Sequence, residues 1–102
     1  MDMQRLMAQA QQMQKQLSKI EEELDATEYT GTAGGDDAVS VRMNGKHEVQ
    51  EVVISDDLMD KDSREMLQDM LLVAMNNALQ KADEDRNAKM GSVTQGVKIP
   101  GM

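Results

Sequence analysis

The 102-residue sequence contains no cysteine, no tryptophan and no phenylalanine, and it has a single tyrosine. Without cysteine there can be no disulfide bond and no thiol nucleophile, which suits a reducing cytoplasm. One aromatic side chain, Tyr29, cannot supply the stacking surfaces that hold single-stranded nucleic acid. No run of about 18 apolar residues is present, so we expect no membrane-spanning segment. The N-terminus is too polar for a signal peptide, and we expect a cytoplasmic protein without membrane contact.

Patterns that carry catalysis or bind metal are also missing. His47 is the only histidine and has no nucleophile partner, so we expect it to make a cross-strand contact. The run from Asp56 to Asp62 lacks the glycine and the final glutamate of a calcium loop. Gly31, Gly34 and Gly35 form no nucleotide-binding motif. We therefore predict no enzyme activity, no catalytic residue, no metal, no cofactor and no small-molecule substrate.

The first segment has the spacing of a coiled-coil helix. Its apolar residues alternate at three and four positions, as in an a/d heptad seam. They are Met3, Leu6, Ala10, Met13, Leu17, Ile20 and Leu24. The flanking residues are good helix formers, without glycine or proline. The pattern predicts a helix over residues 2–26 whose narrow stripe contacts one or two partner helices.

A second long helix is predicted over residues 62–90. Its apolar residues recur at i, i+3, i+4 and i+7. They are Leu67, Met70, Leu71, Ala74, Met75, Ala78, Leu79 and Ala82. Asp62 or Ser63 is suited to cap its start, and Gly91 is suited to end it. The two helices, similar in length, are expected to pair antiparallel, and residues 91–102 are expected to form a flexible tail.

Residues 28–55 between the helices have the pattern of a β-meander. Val39, Val41 and Met43 alternate with polar residues, so one face of this strand should be buried. Asn44-Gly45 favours a type I′ hairpin turn. In the following strand, Val49 does not alternate in register with Val52 and Ile54. This indicates a bulge near Gln50-Glu51, or cover on both faces of the sheet.

The fold class that follows is α+β, with the order αβββα. A three-stranded antiparallel meander lies between two long helices in a single domain, residues 1–102. So small a sheet with free edges favours self-association, so we predict a sheet-mediated homodimer from which the helices project as arms.

The formal net charge is −8, yet the charge is unevenly distributed. Residues 1–20 have three basic residues against one acid, and residues 86–102 have three and no acid. The 65 residues between them have 18 acids against five bases. If the helices pair antiparallel, the two basic ends meet at the tip of each arm, where phosphate would find local positive charge within about a Debye length of 8–10 Å.

Several stretches resemble the YbaB/EbfC family of bacterial nucleoid-associated proteins, in order and over nearly the whole chain. They are MAQAQQMQKQLSKIEEEL, TGTAGG, VSVRMNGKHEVQEVVIS, MLQDMLLVAMNNALQKA and GSVTQGVKIPGM. The resemblance implies an αβββα homodimer whose helix pairs project like tweezer arms, and which binds DNA and alters its conformation.

We therefore expect a nucleoid protein that binds double-stranded DNA with low sequence specificity and acts in nucleoid organisation and gene regulation. The expected DNA-binding residues are Arg5, Lys15, Lys19, Arg86 and Lys89. Glutamines along the first helix would add hydrogen bonds to phosphate or base edges. The alternative is a protein-interaction module in which the Met/Leu seams of the helices, as in a coiled coil, bind a partner protein.

Overall fold

The computed structural model describes residues 2–94 and confirms the predicted αβββα order. The elements are α1 (Met3–Ala26), β1 (Glu28–Ala33), β2 (Val39–Asn44), β3 (Val49–Ile54) and α2 (Arg64–Thr94). Short 3-10 turns occupy Gly35–Asp37, Asp56–Leu58 and Lys61–Ser63. In the part of the chain described, no helix is long and apolar enough to cross a membrane.

The three strands form an antiparallel meander in the order β1-β2-β3. Val39, Val41 and Met43 of β2 are almost completely buried, as their alternation predicts. Between β2 and β3 the register slips, because Arg42 lies opposite Glu51 whereas Met43 lies opposite Val49. Gln50 is the extra residue of this β-bulge. The predicted bulge is therefore confirmed, and it brings Val49 and Val52 onto the same face.

The predicted type I′ turn at Asn44-Gly45 is wrong. His47, with φ of 65°, is the residue of this loop that has a positive φ. The His47 amide donates to the Asn44 carbonyl, and the Asn44 amide donates to the Glu48 carbonyl. This is a three-residue loop closed by a left-handed residue. Asn44 Oδ1 also accepts from the Lys46 and Glu48 amides, so the asparagine stabilises the turn through its side chain.

Helix α2 packs on the sheet through small residues. Ala74, Ala78 and Ala82 are buried against β1 and β2. A Cβ atom on Gly31 of β1 would lie 2.0 Å from the Ala74 carbonyl oxygen. The glycine and the alanines therefore allow the backbone of the helix to approach the strand closely.

The two helices are staggered. The longest dimension of the protein is 71 Å, whereas α1 and α2, with 24 and 31 residues, are roughly 36 and 46 Å long at 1.5 Å per residue. Helix α2 runs antiparallel to β1, with Met70 near Gly34 and Asp85 near Tyr29. Helix α1 meets this body at its C-terminal end, where Asp25 contacts Arg86. The expected pairing along the full length of both helices is wrong, because the apolar stripe of α2 packs on the sheet.

Both ends of α2 differ from the prediction. Asp60, rather than Asp62 or Ser63, supplies the cap: its side chain accepts a hydrogen bond from the Ser63 amide and starts a 3-10 turn that continues into α2. At the other end, the helix passes through Gly91 to Thr94. Glycine costs a helix about 1 kcal/mol relative to alanine, which does not by itself end it. The predicted tail from residue 95 onward lies outside the described residues.

Candidate nucleic-acid interface

The N-terminal part of α1 is a projecting cationic helix. Residues 3–20 contain three basic residues, Arg5, Lys15 and Lys19, and no acid. All three side chains are exposed, and within residues 2–94 none of them forms an ion pair. Asp2 starts the helix by accepting a hydrogen bond from the Gln4 amide. We call residues 3–20 the α1 arm.

The three cations share one side of the arm. At about 100° per residue, Arg5, Lys15 and Lys19 fall within roughly 80° of one another. Glutamines with amide groups capable of hydrogen bonding lie on the same side, at positions 9, 12 and 16. The apolar seam from Met3 to Leu24 lies on the opposite side. The arm therefore presents cations and neutral hydrogen-bonding groups along one continuous face.

Two of the predicted DNA-binding residues lie elsewhere. Arg86 Nη2 donates to Asp25 Oδ1 at 2.9 Å and to the Gly45 carbonyl oxygen at 3.2 Å. Lys89 Nζ lies 3.1 Å from Asp85 Oδ2. Arg5 is 20 residues before Asp25 on the same helix, roughly 30 Å away. The expected convergence of Arg5 with Arg86 and Lys89 at one tip is therefore wrong, because Arg86 contacts α1 at Asp25, far from Arg5.

The acidic run at the end of α2 is part of the contact between elements. The Tyr29 hydroxyl donates to Asp85 Oδ2 at 2.6 Å. Burial, followed by this bond to a carboxylate, raises the pKa of Tyr29 to about 12. The same bond, followed by Lys89, lowers the pKa of Asp85. Sequence reasoning missed this role, because Tyr29 and Asp85 are 56 residues apart and no local pattern joins them.

His47 also contacts α2. Its Nε2 lies 3.3 Å from Asp83 Oδ1, so the predicted cross-strand contact is wrong. His47 has the left-handed backbone conformation at the end of the turn. On the sheet, Arg42 pairs with Glu28 of β1 and with Glu51 of β3. The side chains of His47 and Arg42 thus serve contacts within the fold.

Acidic residues are concentrated at the end of the sheet farthest from the arm. The Ser55 amide donates to the Ala38 carbonyl, which brings the turn before β2 beside the segment after β3. Eight acids lie in these turns and in the start of α2: Asp36, Asp37, Asp56, Asp57, Asp60, Asp62, Glu65 and Asp69. We call them the acidic end. These eight acids lie at the far end of the sheet from the arm, whereas three exposed acids, Glu21, Glu22 and Glu23, follow the arm directly on α1.

An α+β protein with an exposed cationic helix at one end has the features of a polyanion-binding protein. The family model described as the YbaB/EbfC DNA-binding family matches residues 1–97, and the chain belongs to this family. A nucleoid-associated protein of Chloroflexus aurantiacus is 50% identical over 98 residues, which cover 96% of this chain and 97% of that protein.

Two further relatives agree in length and fold. A nucleoid-associated protein of Clostridium novyi is 45% identical over 102 residues, which cover 100% of this chain and 89% of that protein. The crystal structure of an uncharacterized protein from Helicobacter pylori superposes with a TM-score of 0.75 and 30% identity. The superposition covers 90% of this chain and 96% of that one, so the staggered αβββα arrangement has a solved counterpart.

Proposed function

We propose that this nucleoid-associated protein binds double-stranded DNA through the α1 arm. The proposal depends chiefly on one observation, that residues 3–20 form an exposed helix with three cations and no acid. Phosphate charge supplies most of the affinity of nonspecific DNA binding, and flexible lysines contact it without reading sequence. The eight acids of the acidic end lie farther from the arm than the screening length. The exposed acids that follow the arm on α1, Glu21, Glu22 and Glu23, therefore oppose phosphate most directly, at the base of the arm.

We propose low sequence specificity on the same grounds. Bidentate contacts of arginine to guanine are the commonest specific contacts in the major groove, and the arm has a single arginine, Arg5. Glutamine can read adenine, but Gln9, Gln12 and Gln16 are exposed on a helix surface without supporting side-chain hydrogen bonds among those described. Contacts to phosphate and to groove edges would therefore be made on many sequences.

We further propose that the active form is a homodimer paired through β3. The outer edge of β1 is partly occupied by α2, because its Thr30 and Thr32 carbonyls accept hydrogen bonds from Lys81 and Asn77. The other outer strand, β3, is exposed along nearly its whole length. Val49, Val52 and Val53 are each about half exposed, at 45%, 46% and 52%. An open strand edge with apolar residues is the usual place for a second chain to pair.

A dimer joined at β3 would carry two arms. DNA held by both arms must follow the angle between them, so binding would bend or constrain the duplex. Such an effect on DNA conformation fits a role in nucleoid organisation and gene regulation. A nucleoid location follows from membership of this family.

Salt dependence tests the proposal directly. Binding to a random-sequence 30-base-pair duplex is measured by fluorescence anisotropy at two salt concentrations that differ fourfold. With about six phosphate contacts, three from each arm of the dimer, affinity should fall about 2,000-fold. Duplexes of different sequence should bind within a few-fold of each other. A salt-independent affinity, or no binding at low salt, would refute DNA binding by the arm.

A second candidate, binding of a partner protein, is favoured by the seam of the arm. Met3 and Leu6 of the seam are 70% and 47% exposed, and the neighbouring Met7 is 60% exposed. A partner helix seated on this seam would be held by apolar burial, which salt does not weaken. The Leu6→Gln substitution should abolish such binding and leave DNA affinity unchanged.

A further inference from the structure

The direction of the α1 arm is set over a very short distance. A single residue, Thr27, joins α1 to β1. In helix α1 only Leu24 is fully buried, while residues 2–10 are all exposed. The arm therefore has no packing near its tip in the described residues that could hold its angle. The arm is held towards its C-terminal end, where Met13, Leu17 and Ile20 are half-buried and where Leu24 and Asp25 lie against the turn and α2.

Three elements meet at this point. The hairpin turn lies directly against the end of α1, since a Cβ atom on Gly45 would come within 1.9 Å of the Leu24 carbonyl oxygen. Arg86 of α2 then joins the two: its Nη2 donates to Asp25 of α1 and to the Gly45 carbonyl of the turn. The guanidinium and the Asp25 carboxylate are each about one third exposed. One side chain thus connects the arm, the sheet and α2.

The same geometry leaves Arg86 without the paired donors that hold phosphate best. Arginine holds phosphate best through two parallel N–H donors. A guanidinium can offer two such pairs of donors. The end-on pair is Nη1 with Nη2, and the side-on pair is Nε with Nη2, so both pairs include Nη2. With Nη2 donating to Asp25 and to Gly45, neither pair is available.

We infer that Arg86 is a positioning residue for DNA binding, which holds the α1 arm at a fixed angle to the body through Asp25 and the Gly45 carbonyl. The inference rests on the proposed function of the arm. It replaces the expectation that Arg86 contacts phosphate. Without the hydrogen bonds from Arg86 to Asp25 and to the Gly45 carbonyl, which we call the bridge, the arm keeps all its cations but adopts many orientations.

Removing the acid distinguishes positioning from phosphate contact. Asp25→Ala deletes a negative charge and frees Arg86, so a phosphate-binding Arg86 should then bind DNA more tightly. A positioning role requires the opposite. If the competent orientation falls to about one fifth of the ensemble, Asp25→Ala and Arg86→Ala should each weaken binding roughly fivefold. Both variants should keep the salt slope of the unmodified protein, and the double alanine variant should be no weaker than either single one.

The angle of the arm can be measured without DNA. The chain has no cysteine, so Ala8→Cys on the arm and Gln80→Cys on α2 can take nitroxide spin labels selectively. The doubly labelled chain is diluted in unlabelled protein, and the distance distribution between the labels is recorded by pulsed electron paramagnetic resonance. Asp25→Ala and Arg86→Ala should broaden the distribution. Exchanging the pair, with Asp25→Arg and Arg86→Asp together, restores the ion pair but not the donor to the Gly45 carbonyl, so it should narrow the distribution and recover affinity only in part.

The outcomes separate the inference from the proposed function. An unchanged distance distribution, or tighter DNA binding by Asp25→Ala, would overturn the positioning role. If Lys15→Ala with Lys19→Ala binds DNA like the unmodified chain while Asp25→Ala still broadens the distribution, the arm is held by Arg86 but is not the DNA surface. Circular dichroism of each variant confirms the fold. Should Arg86→Ala fail to fold, Asp25→Ala, which removes a partly exposed side chain, tests the same bridge.

Discussion

Tyr29 of β1 donates its hydroxyl hydrogen to Asp85 of α2 over 2.6 Å, so the only aromatic residue of the chain joins the sheet to the last turns of the helix. The ring is 8% exposed and belongs to the core. Tyr29→Phe keeps the ring and removes the hydroxyl. We expect it to lower the free energy of unfolding by about 1 kcal/mol in urea titration, because Asp85 keeps Lys89 as a partner. An unchanged midpoint would show that this bond contributes nothing.

The same pair predicts how stability depends on pH. The pKa of Tyr29 is raised from 10.0 to about 12, so the native state holds this proton more tightly than the unfolded chain. Stability from the contact is therefore complete below about pH 10 and is lost as the pH rises towards 12. The pKa of Asp85 is lowered from 3.8, so the contact also loses stability as the pH falls below that value. In Tyr29→Phe, urea midpoints measured across the pH range should decline less steeply at both ends.

Gly31 should tolerate no side chain. A Cβ atom there would meet the Ala74 carbonyl oxygen at 2.0 Å and the Ala78 nitrogen at 2.4 Å, and both are backbone atoms of α2. Gly31→Ala must push the helix away from the sheet and should cost about 2–3 kcal/mol in the free energy of unfolding. Gly35→Ala is the matched control, since nothing lies within 4 Å of its Cβ position. Equal effects of the two substitutions would contradict the close packing.

The β3 surface should control assembly. At micromolar concentration, sedimentation equilibrium should give twice the chain mass of 11.3 kDa. Val53→Asp places a charge on β3 and should shift the protein to the monomer. Val73→Asp is a control on α2, where the valine is similarly exposed, at 49%. Val73 is one helical turn before Asn77, which contacts the β1 edge, so this substitution should leave the dimer intact.

Each cation of the arm should count as about one phosphate contact. Arg5→Ala, Lys15→Ala and Lys19→Ala should each weaken DNA binding evenly across sequences and reduce the salt slope by about 1.8, because the dimer carries each residue twice at about 0.9 per contact. Lys61→Ala at the acidic end removes the same charge from the chain and should leave both quantities unchanged. None of these exposed side chains should alter the free energy of unfolding by more than about 0.5 kcal/mol. If the salt slope of DNA affinity changes with Lys61→Ala and not with the arm substitutions, the DNA-binding site does not lie on the arm.

The sequence predicted most of the fold because its patterns are local. The alternation of Val39, Val41 and Met43 identified the buried face of β2, and the valines of β3 revealed the bulge at Gln50. Periodicity identifies which side of a helix is apolar but not what lies against it. Ala74 and Ala78 were therefore assigned to a helix pair although they contact the sheet at Gly31.

The site was predictable only in part, for a related reason. Arg5, Lys15 and Lys19 are marked by the absence of acid within one continuous helix, which the sequence displays. Arg86 resembles them in sequence because it begins a second stretch without acid, residues 86–102. Its partner, Asp25, is 61 residues away and comes close only once α2 lies on the sheet. A contact of this kind depends on the stagger of the helices, which no spacing within either helix encodes.

The α1 arm and the acidic end carry charges of opposite sign towards the two ends of the 71 Å axis, and this arrangement has a dipole along that axis. In the field of a DNA duplex such a dipole experiences a torque, which turns the arm towards the phosphates and the acidic end away before any contact forms. Collisions in the wrong orientation become rarer, so a chain of net charge −8 can still associate rapidly with a polyanion. Added salt should then lower the association rate constant measured by stopped flow. Neutralising the acids of the acidic end should make the orientation of the approaching protein less selective.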